Sequence, residues 1–248
     1  DDMLRDPRVD VVNVALPNHL HFDAVMKCAA AGKHVLTEKP MALNAAEAEQ
    51  MLRVAHETGR KLMVHFNYRF SPPSQFLKSY VDKGHLGRIY YAHTRWLRAR
   101  GIPKLGGWFG QKAKSGGGPL IDLGVHRLDL AMWLMGYPHA VAVSAATYDL
   151  LGAELARQSG AAYDVEDLAA AFLRLKNGAS ISLEISWASN SSASDDYFVH
   201  LRGDQCGAEL TVHNYAREDT LRLYSDLDGQ PVEFRPQLPP TISGHEGA

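Results

Sequence analysis

Two short segments hold residues whose types and spacing suit proton and charge transfer. In Glu38-Lys39-Pro40 a lysine stands where a short apolar strand, His34 to Thr37, meets a loop. An ammonium drawn partly out of water exchanges its proton more readily, and Glu38 beside it can accept hydrogen bonds from ribose hydroxyls. The tripeptide alone also fits a solvated Glu-Lys turn. The second segment is Gly116-Gly117-Gly118-Pro119-Leu120-Ile121-Asp122-Leu123-Gly124-Val125-His126-Arg127-Leu128-Asp129. Pro119 suits a first helical turn, and Asp122, His126 and Asp129 then fall at i, i+4 and i+7 on one face. Three chemistries fit that face. A neutral imidazole and a carboxylate make an acid/base pair. Two carboxylates and a histidine can hold a divalent ion. An aspartate can also simply favour a helix N-terminus while the histidine is satisfied in a core.

The elements around these segments predict their placement. Val9 to Leu16 is an apolar run closed by Pro17, expected to be a strand buried on both faces. Asn18 is expected to cap a helix with Phe22, Val25, Met26 and Ala29 inward and Gly32 as its stop. Asn44-Ala45-Ala46-Glu47 reads as a capping box. Its helix turns Ala48, Met51, Leu52 and Ala55 inward and ends at Gly59. Lys61 to Phe66 is the next strand. This alternation predicts a parallel sheet, and such sheets bind ligands beyond the carboxyl ends of their strands. Pro17-Asn18-His19-Leu20-His21 and Glu38-Lys39-Pro40 both sit at such ends. The Lys39-Pro40 bond is a candidate for the cis form.

Beyond Ser71-Pro72-Pro73 the rhythm changes. A helix over 74–83, a strand over 88–98 and a Gly-rich loop precede a helix over 119–135. On that helix Ile121, Val125, Leu128, Met132 and Met135 are expected to face the sheet. Gly124 inside it predicts a close backbone approach. Strand-like runs follow at 140–147, 167–175, 180–187, 197–201, 208–212 and 220–224, with Lys176-Asn177-Gly178 as a hairpin turn. The reading is a Rossmann-type α/β unit over 1–70 and an α+β unit with a large, mostly antiparallel, open-faced sheet over 71–248.

Composition excludes some partners. Among 248 residues, 46% hydrophobic and 22% charged with a net charge of −2, nothing favours nucleic acid or an anionic membrane. Cys28 and Cys206 form neither a disulfide framework nor a metal-ligand spacing, which points to a cytoplasmic protein. The acidic opening from Asp1 to Asp6 is no signal peptide, and no apolar run is long enough for a membrane helix.

Taken together and in order, Pro17-Asn18…His21, Glu38-Lys39-Pro40 and Gly-Gly-Gly…Asp122-x-Gly-x-His126-x-x-Asp129 resemble the Gfo/Idh/MocA oxidoreductases, which include glucose–fructose oxidoreductase and inositol dehydrogenase. The similarity runs through essentially the whole chain. It implies NAD or NADP as cofactor, a sugar or polyol substrate, a secondary alcohol as the oxidised group, and a dimer or tetramer. By that resemblance Lys39, Asp122 and His126 are the catalytic set. Pro17, Asn18, His21, Glu38, Lys39, Arg69 and Trp108 would lie along the cofactor, and Tyr68 near the pocket. Trp96, Arg98 and Arg100 share one strand parity, and Arg98, Arg100 and Asp129 are the substrate candidates. No metal is expected. Some members have Trp-Arg where this chain has Trp108-Phe109. Against the family pattern the sequence starts after the Gly-x-Gly-x-x-Gly turn and the strand that selects NAD or NADP. It also stops, around Pro239 to Gly244, short of the closing helices. As written, the chain is expected to bind dinucleotide poorly and to be inactive alone. Two alternatives share this fold: an NAD-dependent glycosidase or lyase, and a non-catalytic sugar- or dinucleotide-sensing regulator.

Overall fold

The computed structural model describes residues 2–216 and 220–238. Asp1 and the 239–244 tail read above lie outside the described residues. After a single turn, α1 (Asp2–Arg5), the first sheet is built from β1 (Val11–Val14), α2 (His21–Ala30), β2 (His34–Thr37), α3 (Ala45–Glu57) and β3 (Leu62–Val64). The strands pair in parallel in the order β1-β2-β3, because each is reached through a helical crossover. Gly32 and Gly59 stop α2 and α3 at φ of 74° and 65°, values that glycine adopts without strain. The capping box forms: Glu47 N–H donates to Asn44 Oδ1 at 3.0 Å, while Leu43 N–H donates to the Glu47 carboxylate at 3.1 Å.

Both helices lie on one face of this sheet. Val12, Val14 and Val35 pack there against Val25, Cys28 and Met51. The expectation that β1 is buried on both faces is therefore corrected. Val11 is 57% exposed and Met63 45%, because no described element covers the second face. Leu52 is also outward, next to Met51, which is fully buried; adjacent helical positions are about 100° apart.

The second unit comprises α4 (Pro72–Asp82), β4 (Ile89–Arg98), α5 (Lys112–Ser115), α6 (Val125–Leu134), β5 (Ala140–Tyr148), α7 (Leu150–Ser159), β6 (Leu168–Leu175), β7 (Ser180–Ser186), β8 (Asp195–Gly203), β9 (Gly207–His213), β10 (Leu221–Leu227) and β11 (Gln230–Phe234). Its sheet runs β11-β10-β9-β8-β4-β7-β6-β5 and is antiparallel except where β4 meets β7. The hairpin at 176–178 joins β6 to β7, with Gly178 at φ of 87°. Helices α4 and α6 cover one face, where Leu77, Leu130 and Leu134 meet Ala92, Ile181, Val199 and Leu201. Helix α7 and edge strand β11 were not anticipated; Pro231 in so short a run masks a strand signal.

The side of α6 that meets the sheet differs from the expected one. Leu123, Arg127, Leu130 and Leu134 are buried, whereas Ile121, Val125, Leu128, Met132 and Met135 are only partly so. Arg127 is the reason: counted as polar, it interrupts the apolar periodicity that marks the buried side. At Gly124 the close approach is real, since a Cβ there would lie 3.3 Å from Ile185 on β7.

Candidate active site

Lys39 leaves the carboxyl end of β2 and crosses to the second sheet unit. Its Nζ donates to the Asp122 carboxylate at 2.8 Å and to the Asp122 carbonyl at 3.0 Å. The other carboxylate oxygen accepts from Trp187 Nε1, at 2.9 Å, just past the end of β7. Both charged side chains are largely sequestered, 19% and 12% exposed. The Lys39-Pro40 peptide is cis.

Asp122 sits in a π turn, Leu120–Gly124, that leads into α6. Such turns widen the helix by one residue and recur at functional sites. Its start is held by Glu166, whose carboxylate accepts from Gly118 N–H at 2.9 Å and Leu120 N–H at 3.1 Å. Gly118 must be glycine, because a Cβ would lie 1.9 Å from the Glu166 carbonyl oxygen. Gly118→Ala is thus expected to destabilise the fold by about 3 kcal/mol, since the obstacle is main chain and cannot swing aside. Denaturant unfolding checks this; an unchanged midpoint would show that the Gly-Gly-Gly loop yields.

His126 is buried at 8% exposure, with the Tyr68 ring edge-on at 5.0 Å and the Trp96 ring at 6.1 Å. Burial pushes its imidazole well below the ordinary histidine range, and the charges of Lys39, Arg127 and His65 push the same way. Its Nδ1 has no hydrogen-bond partner among the described residues. The site thus sets a neutral imidazole among aromatic rings, within electrostatic reach of a paired ammonium.

Asp129 does not join them. Arg69 grips it with two hydrogen bonds, one of them Nε to Oδ2 at 2.8 Å, and Tyr137 OH adds a third at 3.2 Å. Asp122, His126 and Asp129, expected to share one face, therefore do not serve one site, because Arg69 and Tyr137 occupy the Asp129 carboxylate. Arg69 and Asp129, read as cofactor and substrate contacts, instead satisfy one another.

Other expectations divide in the same way. Asn18 opens a separate 3₁₀ turn, Asn18–Leu20, and makes no side-chain cap. Its amide is buried and donates to the Ser115 carbonyl at 2.8 Å, tying the two units together. His21 is wholly buried, its Nδ1 and Nε2 lying 2.8 and 2.7 Å from the carbonyls of Pro40 and Leu16. It braces the two strand ends. Glu38 stays half open and contacts His65 Nδ1 at 2.8 Å. His65 was missed, although its place at the carboxyl end of β3 repeats that of Lys39. Pro17 precedes the 3₁₀ turn, and Trp108 stacks on Phe109 at 3.8 Å.

Arg98 donates from Nε to Asp195 at 2.8 Å and from Nη2 to Tyr215 OH at 3.0 Å, and lies over the Trp96 ring. Asp195 also accepts from Trp96 Nε1. Arg100 lies past the end of β4 and bonds Ser189 O and Asn190 Oδ1 in an exposed loop, so the shared parity ends at Arg98. Trp187, Asp195, Tyr197 and Tyr215 carried no signal of their own in the sequence. Among the described residues, no three His, Cys, Asp or Glu side chains converge as a metal site.

Residues 1–66 match the family model described as an oxidoreductase family with an NAD-binding Rossmann fold, and residues 74–208 that of the GFO/IDH/MocA C-terminal domain. D-glucoside 3-dehydrogenase of Escherichia coli (strain K12) is 36% identical over 235 residues, which are 92% of this chain and 64% of that protein. Levoglucosan dehydrogenase of Pseudarthrobacter phenanthrenivorans is 30% identical over 239 residues, 89% of this chain and 59% of the relative. A levoglucosan dehydrogenase solved in complex with NADH and levoglucosan superposes with a TM-score of 0.80 at 28% identity, covering 94% of this chain and 62% of the other. The chain therefore spans less than two thirds of the length of these relatives.

Proposed function

Since this chain belongs to the Gfo/Idh/MocA oxidoreductase family, we propose that it oxidises, reversibly, a secondary alcohol on a sugar, cyclitol or sugar derivative, with NAD or NADP as the hydride acceptor. One observation carries the reading: the ion pair of Lys39 with Asp122 joins the two sheet units beside a neutral, buried His126. Those are the groups that removing a proton from an alcohol requires. His126 accepts the hydroxyl proton, and Lys39 offsets the negative charge that grows on that oxygen. Asp122, held by Trp187 Nε1, fixes the ammonium in place. The carbinol carbon loses its hydrogen with the electron pair and becomes a carbonyl carbon. NAD or NADP, when bound, supplies the acceptor for that hydride.

The donor set at the ends of β1, β2 and β3 fits a nicotinamide riboside. Glu38 and His65 suit ribose hydroxyls, Asn18 suits an amide, and Pro17 and Trp108 offer apolar walls. Tyr215, half exposed, gives a stacking surface that sugar C–H faces favour, and the Arg98–Asp195 pair gives polar contacts for hydroxyls. Among the described residues the eight-stranded sheet has one face without helices, with Phe172 45% exposed, and this face is where a dimer or tetramer would form. Free, buried Cys28 and Cys206 support a cytoplasmic setting.

The test is a panel of free sugars, glycosides and polyols with NAD and with NADP, using the full-length protein. Accumulation of reduced nicotinamide in step with a ketosugar product is the expected result. Glycoside cleavage without that accumulation would replace the dehydrogenase by a glycosidase or lyase. Binding without any turnover across the panel would replace it by a sensor.

A further inference from the structure

Arg127 has no part in the chemistry above, yet it is the neighbour of His126 and only 1% exposed. Its Nε and Nη2 have no hydrogen-bond partner among the described residues. The guanidinium lies instead 4.2 Å from the ring centre of Tyr68, 4.7 Å from that of Tyr197 and 5.2 Å from that of Trp96. Aromatic faces attract a cation without neutralising it. A buried charge with no bonded counter-ion costs stability, and an apolar side chain of similar volume would pack there at less expense. The charge therefore serves something other than the core.

Tyr68 connects it to the site, taking the guanidinium on its face and standing edge-on to His126 at 5.0 Å. Burial acts first on His126, and three charged or titratable groups add to it: Lys39 from the end of β2, Arg127 from α6 and His65 from the end of β3. Two of them have a carboxylate in contact, Asp122 on Lys39 and Glu38 on His65. Arg127 has none among the described residues: Asp129 is near enough to be felt, but Arg69 and Tyr137 occupy it. We propose that Arg127 is a positioning residue whose unneutralised charge, held in a cage of three aromatic rings, keeps His126 in its neutral, proton-accepting form. This rests on the reading of His126 as the proton acceptor.

The test follows the ring resonances of the twelve histidines in the isotopically labelled full chain against pH, with His126→Asn assigning one of them. Arg127→Met and Arg127→Gln both remove the charge, so whichever folds gives the reading. In either, the His126 resonance is expected to move at a pH about one unit higher than in the wild type. A folded variant whose resonance shows no upward displacement, including one that stays flat alongside the wild type, overturns the proposal and leaves Arg127 a packing residue. A separate failure is visible elsewhere: turnover retained in His126→Asn removes the histidine from the reaction whatever the titration shows.

Discussion

Lys39→Met is expected to lower kcat/KM for alcohol oxidation by about 10³-fold, near the middle of the range for losing one proton-transfer or charge-stabilising group. Methionine keeps the length of the stem and removes the ammonium, so the hydroxyl oxygen that gives up its proton loses its cation. The same change strands Asp122, which is 12% exposed and keeps only the Trp187 indole as a side-chain partner. A stability loss of about 2 kcal/mol should accompany the kinetic one, because a largely buried carboxylate loses its counter-ion. Adding Asp122→Asn to Lys39→Met separates the two effects. The neutral amide can still accept from Trp187, so stability should recover while turnover stays low. Steady-state kinetics and urea unfolding on the three variants read both quantities. Near-wild-type turnover in Lys39→Met would take the lysine out of the mechanism. Recovered turnover in the double variant would mean that the single change acted only through the stranded charge.

His126→Asn is expected to cost a similar factor, about 10³-fold, with one further signature. The folded-state pKa of His126 is depressed by burial first and by Lys39 and Arg127 after it. In the proposed mechanism its neutral form is the active one, so wild-type activity should persist below the ordinary histidine value of 6.5 and fall only as pH drops through the depressed value. Asparagine has no such group, and the residual activity of the variant should lack that acid limb. Stability carries the same sign. Below about pH 6.5 the unfolded chain takes up a proton that the folded imidazole refuses, so stability declines as pH falls. His93 and His200 are depressed by burial too, the latter to about 4, and add to this slope. His126→Asn should therefore flatten the slope without abolishing it. An acid limb that is the same in both proteins would assign it to another group.

How much of this was legible beforehand follows from the range of each interaction. Strand runs such as 9–16, which holds β1, the Asn44-Glu47 capping box and the glycine stops at Gly32 and Gly59 depend on residues within a few positions of one another. The sequence alone therefore determined them. It also determined the candidate set of Lys39, Asp122 and His126, because a lysine at a strand end and a carboxylate four residues before a histidine are local patterns. The partners of those groups were decided only by the tertiary structure. Lys39 meets Asp122 across 83 positions and Arg69 meets Asp129 across 60, distances over which no periodicity speaks. Those long-range pairings explain why Arg69 and Asp129 turned out to neutralise each other, and why His21 became a brace between two carbonyls. They also explain why the sheet-facing side of α6 was misread. A polar residue ordinarily marks the wet side of a helix, but Arg127 is buried because three rings from distant segments, Tyr68, Trp96 and Tyr197, close around it. Local patterns choose which elements form and which residues are available, whereas only folding chooses which charges meet.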